Sequence, residues 1–302
     1  MPPEALRVAV LGPGGVGGLL AALLARGGNA VEVLASESTA SAIAERGLRV
    51  ESKRFGDFQV SVRSAVRLES PVDACLIAVK NTQLTEALKR VPPDALGQGL
   101  VVPFLNGIDH VELLRGIYPP SNVVAAAIRV ETARVEPGFI RQLSPFASIE
   151  FAAADANRDR VERLASQLTA VGFDVRVRDD ETSMLWDKLS FLAPLALLTT
   201  HEDANAGAIR TRRREDTLAV ISEVAAVATA EGAAIDPEAV VRLLDSVPET
   251  MESSMQRDQA AGRQLEIDAI GGAVVRRAAL AGVDVPVTSR LVDELRERQK
   301  AG

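Results

Sequence analysis

A chain of 302 residues is long for one hydrophobic core and favours two domains, each burying its own. Its 34 Lys and Arg stand against 41 Asp and Glu, and the net charge of −7 excludes a broad basic surface for nucleic acid or an anionic membrane. With one cysteine, Cys75, no internal disulfide can form, and no apolar run is long enough to span a bilayer, so a cytoplasmic protein is expected. The opening Met1-Pro2-Pro3-Glu4 lacks the basic segment of a signal peptide.

In chain order, an apolar run at 6–11 reads as a strand, followed by Gly12-Pro13-Gly14-Gly15-Val16-Gly17 and a Leu/Ala-rich helix. In that context the G-x-G-x-x-G spacing has a mechanical meaning. Gly12 permits the tight turn, Gly14 lets the backbone approach a pyrophosphate, and Gly17 lets the helix pack on the strand. Phosphate then sits on free amides at the helix N-terminus, so Gly12, Gly14, Gly15, Val16 and Gly17 are the expected dinucleotide contacts. A second strand at 30–35 and a helix at 38–45 put position 36 beside the adenosine ribose. A carboxylate there suits the 2′-hydroxyl of NAD, and a cation suits the 2′-phosphate of NADP. Ser36, Ser38 and Thr39 offer hydroxyls to a phosphate while Glu37 would oppose it, which leaves the cofactor subtype open.

Short strands at 48–50 and 58–62 precede a fully apolar one at 74–79, of the kind buried in a parallel sheet; Cys75 within it reads as an inert buried thiol. That strand runs into Lys80, and the next, at 100–105, runs into Asn106-Gly107. Ligands lie at the carboxyl ends of strands in an open α/β sheet, which makes Lys80 and Asn106 site candidates; the plainer alternatives are a solvated lysine and a common turn. Strand-like segments at 122–132 and 139–151 flank Pro137-Gly138, and a helix at 158–171 and a strand at 174–177 complete an N-terminal domain of residues 1–178.

From 179 to 302 the periodicity is helical. Lys188 sits inside an apolar stretch with Leu185, Leu189, Leu192 and Ala196 at neighbouring helical positions. Desolvation would lower its pKa and make it a usable acid or base near neutrality, whereas the plainer reading lays its stem over apolar surface. Pro194 predicts a kink that deprives the Ser190 carbonyl of its donor. The basic cluster at 210–214 runs straight into Glu215-Asp216 and reads as a solvated helix start. Helices at 217–231 and 237–244 lead to Ser253-Ser254-Met255 and to an acidic helix start at Glu266. The pair Gly271-Gly272 inside a helical pattern predicts close approach by a helix or a ligand, and a last helix spans 288–300. The fold class expected is α/β, a Rossmann-type doubly wound sheet followed by an all-helical C-terminal domain.

The order of these motifs resembles the ketopantoate reductase family. The resemblance rests on the glycine turn, Val79-Lys80, Leu105-Asn106-Gly107, Leu185-Trp186-Asp187-Lys188-Leu189, Ser253-Ser254-Met255 and Glu266-Ile267-Asp268, and covers nearly the whole chain. It implies reduction of 2-dehydropantoate, or a related 2-oxo acid, to the 2-hydroxy acid with NADP(H), NAD(H) being the alternative. Lys188 would be the general acid and Glu266 the carboxylate that helps bind and protonate. Ser254 would contact substrate, and Lys80 and Asn106 would lie near the nicotinamide ribose and the substrate. Two positions depart from the family pattern. Leu192 and Ala196 stand where pantoate-forming members carry substrate-binding asparagines, and Ser36 stands where an arginine meets the 2′-phosphate. The expected substrate wall is then Asn106, Lys188, Leu192, Ala196, Ser254 and Glu266, with no metal, no nucleic-acid partner and a homodimer as an allowed assembly. A rival reading is a non-catalytic dinucleotide sensor. Leu192 and Ala196 motivate it, and the joint retention of Lys188, Ser254 and Glu266 opposes it.

Overall fold

The computed structural model describes residues 4–301, and its strands follow the segments expected from sequence except Arg63–Ala65, which has no apolar run and pairs as an edge strand. They are β1 (Arg7–Leu11), β2 (Ala30–Leu34), β3 (Leu48–Ser52), β4 (Phe58–Val60), β5 (Arg63–Ala65), β6 (Ala74–Ile77), β7 (Leu100–Pro103), β8 (Ala126–Glu136), β9 (Phe139–Ala152) and β10 (Asp174–Arg178). Five form a parallel sheet in the order β5-β2-β1-β6-β7. All residues of β6 and β7 are buried, as a parallel sheet covered on both faces requires. The chain builds outward from β1 through β2 to β5 on one side and through β6 to β7 on the other. The switch point therefore lies between β1 and β6, where open α/β sheets bind ligands at the strands' carboxyl ends.

The remaining strands do not extend that sheet. They form a second, mixed one in the order β10-β9-β3-β4, with β8 folded back on β9 around Pro137-Gly138. Helix Gly15–Arg26 packs against strands of both sheets. Its Leu19, Leu20, Leu23 and Leu24 share one core with Val8, Val10 and Val33 of the first sheet and Ile140, Ile149 and Phe151 of the second. Each such side chain contributes about 1.5–3 kcal/mol on burial.

The chain divides into two units. One runs to Leu105 and resumes over His110–Glu181; the other joins Asn106–Asp109 to everything from Thr182 onward. Its division point lies at Glu181 rather than Arg178, and the excursion at 106–109 has no counterpart in composition. The second unit is helical, with Glu181–Glu202, Ala206–Arg212, Arg214–Ala230, Pro237–Ser246, Ser254–Ala260, Ile267–Ala281 and Pro286–Ala301. Helix Glu181–Glu202 continues through the buried Pro194. Trp186, Leu189 and Ala193 from it meet Val224, Ile270, Val274 and Leu291 in a second core. Of the two expected close approaches, Gly271 makes one to helices: a Cβ there would fall 2.5 Å from Val292 and 2.9 Å from Leu197. No helix among the described residues is long and apolar enough to cross a membrane.

Candidate active site

In the first unit the glycine turn leaves β1 with Gly12 at φ +87°, a conformation that L side chains rarely adopt. Space is also absent there, since a Cβ would lie 2.5 Å from Val79 Cγ1. Gly17 is packed against the turn itself, and a Cβ on it would come 2.2 Å from the Gly12 carbonyl oxygen. Gly14 is different: the nearest atom to an added Cβ is the Ala78 oxygen at 4.0 Å. The turn is thus closed on its protein side and open above Gly14. As Gly14 is the N-cap of helix Gly15–Arg26 and has no side chain, the first-turn amides, which include Gly15 and Val16, are left for an external acceptor. Those features fit a pyrophosphate.

Val79 closes over Gly12, so its neighbour Lys80 is delivered to the same turn, three residues past the end of β6. Lys80 itself is half-buried. Thr132 of β8, a residue that no sequence pattern singles out, also reaches the turn, its Oγ1 lying 2.6 Å from where a Gly15 Cβ would be. After β2, Ser36 caps helix Glu37–Arg46 in extended conformation. Its hydroxyl donates to Thr39 Oγ1 at 3.2 Å and lies 3.4 Å from Ser38 Oγ. Three hydroxyls therefore cluster at that helix start, with Glu37 exposed beside them.

The second unit brings together two candidates 160 positions apart: Asn106 Nδ2 donates to Glu266 Oε2 at 3.1 Å. Glu266 is the N-cap of helix Ile267–Ala281 and is 8% exposed, and its carboxylate makes no capping bond to that helix. Gly107 allows this approach, for at φ +82° its α-carbon presses on the helix and a Cβ would come 2.0 Å from the Ala269 oxygen. Lys188 is half-buried on helix Glu181–Glu202, Leu192 packs partly buried against the helical core, and Ala196 is wholly buried in it. Ser254 is exposed at the start of helix Ser254–Ala260. Its neighbour Ser253 has a structural task, accepting from the Gln256 amide at 3.0 Å and from Thr199 Oγ1 at 2.9 Å. The spacing Ser253-x-x-Gln256 is the signature of such a cap.

Further charged groups hold the 106–109 segment. Asp109 accepts from Arg276 at 2.6 Å and from Arg277 Nε at 3.2 Å. Arg277 NH1 donates to Glu231 at 3.3 Å, and the buried Trp186 donates its indole N–H to the other oxygen of Glu231 at 3.0 Å. Burial lowers the pKa of Arg277, but the charges of Glu231 and Asp109 outweigh it and hold the guanidinium above its ordinary value.

Two sequence models of ketopantoate reductase PanE/ApbA, for its N-terminal and C-terminal parts, match residues 8–156 and 180–299. The chain belongs to the ketopantoate reductase family. A 2-dehydropantoate 2-reductase of Mycobacterium tuberculosis is 30% identical over 94% of this chain and 95% of its own. Among solved structures, a PanE/ApbA family ketopantoate reductase from Ralstonia eutropha is 28% identical with a TM-score of 0.87, covering 97% of this chain and 98% of its own. D-mandelate dehydrogenase bound to NADH and anilino(oxo)acetate shares the fold at a TM-score of 0.89, with 21% identity and coverage of 97% and 98%. Membership makes the chain an oxidoreductase that uses a nicotinamide dinucleotide.

Proposed function

We propose that the chain reduces a 2-oxo acid to the 2-hydroxy acid with NADPH, and that its substrates include 2-oxo acids with purely apolar side chains. The hydrogen bond between Asn106 and Glu266 carries the reading, because it unites two residues that the family pattern names from distant parts of the chain. Bound NADPH supplies the hydride. Lys188 donates a proton to the alkoxide that develops at the carbonyl oxygen and stabilises its charge in the transition state. Asn106, with one amide hydrogen engaged by Glu266, keeps a second hydrogen and a carbonyl for substrate. Glu266 orients Asn106 and accepts from the hydroxyl that forms, and Ser254 adds a hydrogen bond to substrate. The amides of Gly15, Val16 and Gly17 would hold the pyrophosphate, Lys80 would serve the nicotinamide ribose, and the hydroxyls at 36, 38 and 39 would receive the adenosine end.

Leu192 supports the substrate range, whereas Ala196, wholly inside the helical core, presents no face to a substrate. The Leu192 side chain can form no hydrogen bond, and burying the hydroxyl of 2-dehydropantoate against it without a partner costs about 1–3 kcal/mol, roughly tenfold to a hundredfold in binding. The test compares kcat/KM for 2-dehydropantoate and for 2-oxoisovalerate, which lacks the hydroxymethyl group. Comparable values support the proposal. A preference for 2-dehydropantoate above about a hundredfold, beyond that penalty, would return the protein to pantoate formation alone, and turnover of no 2-oxo acid would favour a dinucleotide sensor.

A further inference from the structure

Of the residues assigned to substrate and proton transfer in the second unit, Asn106 and Lys188 come from two different elements, the segment Asn106–Asp109 and helix Glu181–Glu202. We infer that Arg277 and Glu231 are positioning residues that fix these elements to each other, and so set where Lys188 and Asn106 stand for the reaction. The inference rests on the assignment of those two residues made above.

Three observations carry it. First, the connection is continuous and each link is directional: Asp109 to Arg277, Arg277 to Glu231, Glu231 to Trp186. Arg277 spans the gap with two nitrogens, Nε toward Asp109 and NH1 toward Glu231, while Glu231 spends one oxygen on Arg277 and the other on Trp186. Second, Trp186 lies two positions before Lys188 on the same helix, so the two side chains project about 200° apart around its axis. Anchoring the indole on one side therefore fixes the rotation of the helix, and with it the direction of Lys188 on the other. Third, the central pair is only about one quarter exposed, 24% for Arg277 and 22% for Glu231, with Asp109 at 37%, whereas a salt bridge on an open surface would be screened and loose. Core packing of Ile108 and the seat of Gly107 on Ala269 hold the segment in place, and Asp109 sets its lateral position.

Geometry of this kind acts on rate, since a displacement of about 1 Å in a reacting group costs roughly a hundredfold. The experiment uses the full chain with NADPH and the 2-oxo acid it turns over best, and compares Glu231→Ala, Glu231→Gln, Arg277→Lys and the double variant Glu231→Ala/Arg277→Lys. For each, kcat, KM, cofactor Kd, Tm and the emission maximum of Trp186, the one tryptophan of the chain, are measured. Glu231→Ala and Arg277→Lys should each lower kcat by about tenfold to a hundredfold, with KM and cofactor Kd little changed. Lysine keeps the charge but lacks the fork that reaches two carboxylates, so it should not rescue. Glu231→Gln, which retains an acceptor for the indole, should recover part of kcat. The double variant should be no slower than the worse single variant, because the connection is already cut, and Trp186 emission should shift in Glu231→Ala. Wild-type kcat in both single variants, full rescue by Arg277→Lys, unshifted emission, or losses that add and track Tm would each overturn the inference. Lys188→Ala and Asn106→Ala serve as reference: if both retain wild-type kcat, the site assignment fails instead.

Discussion

Replacing Gly14 by alanine should separate binding of the dinucleotide from stability. At φ −73° the backbone accepts an L residue, and the added Cβ meets nothing nearer than 4.0 Å. The cost to folding is then the weaker N-cap preference of alanine, about 1 kcal/mol, or a fall in Tm of at most about 4 °C for a domain of this size. A pyrophosphate over the turn would lose its close approach to the backbone, and one hydrogen bond to a charged group is worth about 1.5–3 kcal/mol. Cofactor Kd should therefore rise roughly tenfold to a hundredfold. Gly17→Ala gives the opposite pattern at the same motif. Its Cβ would stand 2.2 Å from the Gly12 oxygen and 3.0 Å from Ala78 Cβ, and neither neighbour has a flexible end that could yield. Overpacking at the upper range, about 3 kcal/mol, less about 1 kcal/mol gained by alanine in a helix, leaves a loss near 2 kcal/mol. That corresponds to about 4–8 °C in Tm. Cofactor fluorescence titration and thermal denaturation read both variants. Wild-type affinity in Gly14→Ala would refute a pyrophosphate site at the turn, and an unchanged Tm in Gly17→Ala would refute the packing described for it.

Lys188→Ala should lower kcat by about two to four powers of ten, with cofactor Kd near wild type; retained activity would move the acid role elsewhere, with Lys80 next to test. NADPH should be preferred to NADH in kcat/KM, and a clear NADH preference would mean that Glu37, not the hydroxyls at 36, 38 and 39, receives the ribose. Cys75 is fully buried and burial pushes its thiol up to about 12, so at pH 8 about one part in ten thousand is thiolate. Iodoacetamide should leave the native protein unmodified and react fully in guanidinium; stoichiometric native labelling would contradict the burial of β6.

The parts that were legible in sequence are those whose cause is local. Residues 6–24 announce strand, turn and helix because an apolar run, glycine spacing and the leucines at 19, 20, 23 and 24 all act within a few positions. The second sheet was not legible as a sheet: its strands could be read one by one, but the pairing of β3 with β9 joins residues around 50 to residues around 140, and no local period encodes it. Lys188 stood out as a charge inside an apolar helix. Glu266 reads equally well as a dipole partner of its helix, and its bond to Asn106, 160 positions away, is something no local pattern encodes. Arg277 was invisible because an arginine on a helix has no signature until its partners, 46 and 168 positions away, are in place.

The excursion at Asn106–Asp109 also decides where the gene can be cut. The chain passes between the units three times, after Leu105, after Asp109 and after Glu181, so a fragment that starts at Thr182 is not the second unit. Such a fragment would lack the carboxylate that receives Arg276 and Arg277, the glycine seated on Ala269, and the amide that occupies Glu266. A helical fragment that keeps its own partners needs those four residues grafted back through a designed linker, and expression of Thr182–Gly302 with and without the graft would show how much of its folding they carry.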